Sequence, residues 1–205
     1  MEQRPDFQLI KIRSGILDLI KSFFTDEPDA ERISLWRGVI FSLSQDSVTP
    51  EIDQAVSRLS QILSHKGIQE LQDEYYELFI NPFGRYQVNM TASYHLDGRN
   101  YGPTLAACRR FLIDAGIKKR EGVTESEDSL PVMIDIYQSL VEAERKELLK
   151  AKTLQGEFLE QFLMPLSVSL IKALEENPRA KFYEGCCHLL LGYLSMEKYL
   201  IYGAT

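Results

Sequence analysis

Only three cysteines and three histidines occur in the 205 residues. Cys108, Cys186 and Cys187 are odd in number and two are adjacent. They form no disulfide framework, and a reducing compartment fits them best. His65, His95 and His188 are far apart, and none stands with a cysteine or carboxylate at zinc-site spacing. The glycine loop of a P-loop site, ending in Lys-Ser/Thr, is missing, which excludes standard phosphate cradling. No stretch approaches the roughly 18 uncharged apolar residues of a membrane span. The apolar residues between Phe7 and Phe24 are broken by Lys11, Arg13, Asp18 and Lys21. That pattern suits an amphipathic helix and not a signal peptide. Positive charge is short as well: 23 Lys and Arg against 30 Asp and Glu give a net charge of -7. The balance argues against a general nucleic-acid binder and permits a basic partner. A cytoplasmic location, no membrane insertion and no metal are the expectations.

Strand patterning is also lacking, since nothing alternates with a period of two for long enough to make a sheet. What is present is helical periodicity. Phe7, Ile10, Leu17, Ile20 and Phe24 share one side of a first helix that Pro28 ends. A second runs from Glu31 to Leu43 with Ile33, Trp36, Val39, Ile40 and Leu43 inward. Thr49-Pro50-Glu51 combines a cap, a proline at the first helical position and an acid in the first turn. That helix ends at Gly67, whose left-handed conformation would close it. A fourth runs from Ile68 to Ile80 and stops at Pro82. Pro103 opens a fifth, ending at Gly116. The remaining helices are expected at about 131–150, with its charge run EAERKELLKAK as a solvated face, at 154–176, interrupted by Pro165, and at 180–202. The fold class is all-α with roughly nine helices. It is one compact domain, or two packed halves (1–116 and 131–205) joined by a hinge at 117–130.

Between Pro82 and Pro103 the helical pattern lapses. A long connection inside a compact helical chain is usually functional or disordered. Disordered segments are poor in aromatics, whereas this one carries Phe83, Tyr86, Tyr94 and Tyr101. It is read as an ordered loop. Tyr94, Leu96, Asp97, Gly98, Arg99 and Tyr101 are its candidate site residues. Glu125, Glu127, Asp128 and Ser129, in the polar segment before the sixth helix, are the second group. Helix capping is the structural alternative for Asp128 and Ser129. Ser93, His95 and Asp97 invite a catalytic triad. Its members normally come from separate elements, and no nucleophile elbow is present, so catalysis is not expected. His188 reads as a core histidine, and the Cys186-Cys187 pair as helix packing.

Three segments resemble the TorD/DmsD family of redox-enzyme maturation chaperones, related more distantly to NarJ. Tyr75-Tyr76-Glu77-Leu78-Phe79 with Pro82 is similar to the family's Tyr-x-x-Leu-Phe-x-x-Pro. Ser93 to Gly98 with Tyr101-Gly102-Pro103-Thr104 is similar to its Ser-x-Tyr-Leu-Asp-Gly segment. Glu125-Ser126-Glu127-Asp128-Ser129-Leu130 is similar to its Glu-Pro-x-Asp-His-Leu hinge, with Ser126 and Ser129 in place of the proline and histidine. The C-terminal run from Phe162 to Tyr183 also fits. The resemblance implies a cytoplasmic chaperone that binds the twin-arginine signal peptide and apo subunit of a molybdenum-cofactor oxidoreductase before export. It implies no tightly bound cofactor, weak guanine-nucleotide binding in some members, and a monomer or a domain-exchanged dimer.

The residues agree with a peptide that is both cationic and apolar. Arg pairs bidentately with carboxylates, for which Asp97, Glu125, Glu127 and Asp128 are candidates. An apolar helix docks in a hydrophobic groove that Tyr94, Leu96, Tyr101 and Phe83 could line. The competing readings are a nucleotide hydrolase using Asp97, Arg99 and Asp128, and a generic helical adaptor.

Overall fold

A computed structural model describes residues 6–119, 122 and 124–203. The candidate hinge contains Arg120, Glu121 and Val123, which lie outside the described residues. Among the described residues every regular element is helical. The elements are α1 (Phe7–Thr25), α2 (Ala30–Leu43), α3 (Pro50–His65), α4 (Ile68–Tyr75), α5 (Ala92–Asp97), α6 (Pro103–Ala115), α7 (Leu130–Ala143), α8 (Leu148–Phe158), α9 (Met164–Glu175) and α10 (Lys181–Tyr202). A π turn, Tyr76–Ile80, prolongs α4, and another, Leu159–Leu163, joins α8 to α9 without a break.

The helix ends follow local chemistry. Asp29 accepts from Arg32 N at 2.8 Å to cap α2, and Thr49 Oγ1 accepts from Ile52 N to cap α3. Gly116 closes α6 at φ +70, a left-handed value that costs glycine nothing. Gly67 does not close α3 in this way. Its φ is -77, and it is the cap residue of α4, donating its N–H to the Glu70 carboxylate at 2.9 Å. Pro165 has no N–H and its ring crowds the carbonyl four residues back. The wider π turn just before it, with Met164 N–H on Leu159 O, carries the helix through without splitting it.

The chain forms two compact units that interleave along the sequence: residues 1–21, 90–166 and 196–205 in the first, and residues 22–89 and 167–195 in the second. In the second unit Phe23, Trp36 and Phe182 meet with ring centroids 5.0–5.7 Å apart, and Tyr183 contacts Phe24, Tyr75 and Phe79. Glu74 of α4 is buried there. Its Oε1 accepts from Phe182 N at 2.6 Å and Tyr183 N at 3.1 Å, and its Oε2 from Lys66 Nζ at 2.6 Å. It caps α10, whose preceding residue, Ala180, has no side-chain acceptor. Glu74→Gln keeps an acceptor and loses the charge assistance. It is expected to cost about 1–2 kcal/mol, read as a lower midpoint in urea.

In the first unit α7 is central: nine of its fourteen residues are buried. Phe158 and Phe162 pack with Phe111 at 5.2 and 6.0 Å. The helix expected at about 131–150 ends at Ala143 instead. The N–H groups of Glu144, Arg145 and Lys146 bond three residues back, which tightens and terminates the helix. The charge run is not wholly a solvated face either, because Glu144 is buried against Arg13. Phe7 is exposed, not inward, and Arg145 stacks over it at 5.5 Å.

Candidate functional site

The segment between Pro82 and Pro103 is not loop throughout, since it holds α5. Six residues are too short for helical periodicity to announce them. Extended backbone before α5 pairs with the backbone before α7: Thr91 and Ser129 form an antiparallel bridge. Ala92 N donates to Asp128 O at 2.8 Å, and Leu130 N to Met90 O at 2.9 Å. The two candidate groups are therefore adjacent in the first unit.

Asp128 is the pin of this junction. It is 1% exposed. Its Oδ2 accepts from Ser93 N at 2.8 Å, and its Oδ1 from Ser126 Oγ. Oδ2 thus fixes the start of α5, while Oδ1 is held within the turn before α7. Ser129 occupies the cap position of α7, but its side chain caps nothing, and its buried hydroxyl and that of Ser93 have no partner. Glu127 accepts from Arg109 Nε and Nη2 at 3.0 and 2.9 Å. Burial works against its charge, yet the hydrogen bonds and charge of Arg109 outweigh that and hold the carboxyl below its usual range. Glu125 is exposed, and its backbone carbonyl accepts from Lys119 Nζ.

Asp97 is a second pin. Its Oδ2 accepts from Thr104 N and its Oδ1 from Thr104 Oγ1, both at 2.8 Å, so it ties the end of α5 to the first turn of α6. A Cβ on Gly102 would lie 2.4 Å from Asp97 Oδ2, so only glycine lets this carboxylate in. Gly98 ends α5 at φ +73. Tyr101 has φ +60, the only positive φ of a non-glycine among the described residues. Such a conformation costs a non-glycine residue about 1 kcal/mol. The ring is 80% exposed, so interior packing does not repay the strain. Tyr101→Gly is accordingly expected to leave the thermal midpoint unchanged or slightly higher, within about 1 kcal/mol, while weakening whatever the ring holds.

Tyr94 and Leu96 are exposed beside it in sequence, on the same short helix, and Arg99 is exposed in the turn. Phe83 belongs to the second unit, where it is 95% exposed. Ser93, His95 and Asp97 lie on a helix and not an extended segment, so residues two apart point to different sides. Ser93 is buried without a partner for its hydroxyl, and Asp97 is committed to Thr104. His188 is not in the core: it is partly exposed, with Nε2 3.4 Å from Glu175. All three cysteines are buried. Burial and the nearby charges of Asp128 and Glu127 push the Cys108 thiol up to about 12, and burial raises Cys186 and Cys187 as well. Such thiols are inert packing groups. The sequence did not mark Arg109 at all, and it marked Ser93 and Thr104 only as a rejected triad member and as part of a family-like segment, not as partners of Asp128 and Asp97. Thr104 had a signal, a hydroxyl in the first turn after Pro103, while the other two declare themselves only through partners distant in sequence.

Among the described residues no helix is long and apolar enough to cross a membrane, and no cluster of His, Cys, Asp and Glu has the makings of a metal site. The family model described as nitrate reductase delta subunit matches residues 45–170, well over half of the chain. No curated protein matches the sequence. Among solved structures, a candidate redox enzyme maturation protein from Archaeoglobus fulgidus shares the fold with a TM-score of 0.51 and 16% identity. The match covers 93% of this chain and 96% of that one.

Proposed function

We propose that this chain, which belongs to the nitrate reductase delta subunit family, is a non-enzymatic maturation chaperone for an exported molybdenum-type redox enzyme. In this reading it binds the twin-arginine signal peptide and apo subunit of its client in the cytoplasm. The observation that carries the reading is a rigid frame with an apolar display. Asp97 and Asp128 spend their oxygens on the backbone and hydroxyls of α5, α6 and the turn before α7, while Tyr94, Leu96 and Tyr101 remain exposed. A surface held ready in this way loses little conformational freedom on binding.

The candidate residues then divide by role. Leu96 and Tyr101, with Gly98 and Arg99 in the turn between them, touch the peptide's apolar segment, Tyr94 borders it from another side of α5, and Glu125 receives a guanidinium. Asp97, Glu127, Asp128 and Ser129 hold the surface in shape. Apolar burial, at about 25 cal/mol per Å², supplies most of the attraction. An exposed Arg–carboxylate pair adds only about 0–1 kcal/mol, so Glu125 sets register more than affinity. A photo-crosslinking amino acid in place of Leu96 or Tyr101 is expected to capture a labelled twin-arginine peptide, with unlabelled peptide blocking the capture. The same group in place of Leu149, an exposed residue of the same unit, is expected to capture none. Equal capture at all three positions would overturn the assignment of this surface.

A further inference from the structure

A second surface of the first unit has the opposite chemistry. Along the outer side of α6, Tyr101, Leu105, Ala106, Arg109, Arg110 and Ile113 line a shallow groove. The helical positions from Leu105 to Ile113 recur every three or four residues, over about 12 Å of α6. Leu105 forms a buried floor. Ala106 leaves the backbone approachable. Tyr101 and Ile113, 80% and 77% exposed, stand at its two ends. Arg109 is oriented by Glu127 through Nε and Nη2, which leaves Nη1 outward of that pair. Arg110 is exposed and makes no hydrogen bond or ion pair among the described residues. From Gly98 to Lys119 the charged residues are Arg99, Arg109, Arg110, Lys118 and Lys119 against Asp114 alone, inside a chain of net charge -7.

We propose that this face of α6 is a docking surface for an acidic amphipathic helix of a protein partner. The partner's apolar stripe lies between Tyr101 and Ile113 over Ala106, and its carboxylates meet Arg109 and Arg110. The spacing suits helix against helix, where residues three and four apart share a face. The guanidinium groups suit carboxylates. A twin-arginine peptide carries the wrong charge for Arg109 and Arg110, and of the groove's residues only Tyr101 also belongs to the signal-peptide surface, so the inference is tested at Arg110 and Ile113, which that reading does not use.

The test uses the full chain and three fluorescent probes: a short synthetic helix of leucine and glutamate with leucines at three- and four-residue spacing, the same helix with lysine for glutamate, and a single-stranded oligonucleotide. The acidic helix is expected to bind, more weakly at higher salt. R110E and I113S are expected to weaken it by about tenfold each without changing the circular dichroism, the reversed charge acting by repulsion. The lysine helix is expected not to bind. Failure of the acidic helix to bind, or equal affinity in R110E and the wild type, would overturn the proposal. Arg110-dependent binding of the oligonucleotide in its place would also overturn it. A twin-arginine peptide titrated into the wild type and R110E separates the two readings: if the acidic helix fails to bind while this peptide still binds both proteins, only the α6 surface has been misassigned.

Discussion

Replacing Arg13 by methionine is expected to lower stability by about 3–5 kcal/mol, the cost of leaving buried charges without their partner. Arg13 is 2% exposed. Its Nη1 donates to Glu144 at 2.6 Å, its Nε and Nη2 to Glu197 at 2.6–3.1 Å, and its Nη2 also to Gln155 at 2.8 Å. Burial works against the guanidinium charge, but the hydrogen bonds and charges of Glu197 and Glu144 prevail, and its pKa lies above the usual arginine value. Tyr137 donates its hydroxyl to Glu197 at 2.9 Å, and Gln155 donates to Glu144 at 2.9 Å and to Leu140 O at 3.0 Å. The cluster thus ties α1, α7, α8 and the end of α10 within the first unit. Methionine keeps the length of the side chain and none of its donors. Urea unfolding followed by far-ultraviolet circular dichroism measures the loss. Adding Glu144→Gln and Glu197→Gln to the methionine variant is expected to recover part of it, because neutral amides are cheaper to bury unpaired than carboxylates. A stability unchanged by Arg13→Met would show that the cluster is not holding the unit.

Asp128→Ala is the second large effect, expected at about 2–3 kcal/mol together with loss of peptide binding. Alanine leaves the buried Ser93 N–H and the Ser126 hydroxyl without their acceptor, and an unsatisfied buried donor costs about 1–3 kcal/mol. The start of α5 loses its anchor, so Tyr94 and Leu96 lose their fixed positions. Asp128→Asn keeps one acceptor oxygen for Ser93 N–H and is expected to retain more of both properties. This order, wild type above asparagine above alanine, separates a positioning role from direct ion pairing. If Asp128 met a guanidinium directly, asparagine and alanine would lose peptide binding alike.

Much of the helical layout was readable in the chain because its ends are chemically marked. Thr49-Pro50 starts α3, Pro103 starts α6 and Gly116 ends it. The elements that escaped notice depend on partners far away in sequence. Arg13 and its two glutamates are separated by 131 and 184 residues, so Glu144 read as one more charge on a wet face. Asp97 and Asp128 stood out as acids in polar segments, but nothing local shows that their oxygens are already bonded. The resemblance placed the two segments in one site. Their adjacency rests on the bridge between Thr91 and Ser129, which no local pattern could reveal. Ser126 supplies Asp128 with a hydroxyl that the proline of the related motif would lack. Ser129 stands where that motif has histidine, and its hydroxyl is buried without a partner.

Calorimetric titration of the purified chain with the signal peptide of an exported molybdoenzyme, beside the same peptide with both arginines replaced by glutamine, tests the chaperone reading most directly. Saturable binding that weakens about fivefold, roughly 1 kcal/mol, in the replaced peptide is the predicted result. Equal binding of the two peptides, or binding of neither across candidate clients, would contradict it.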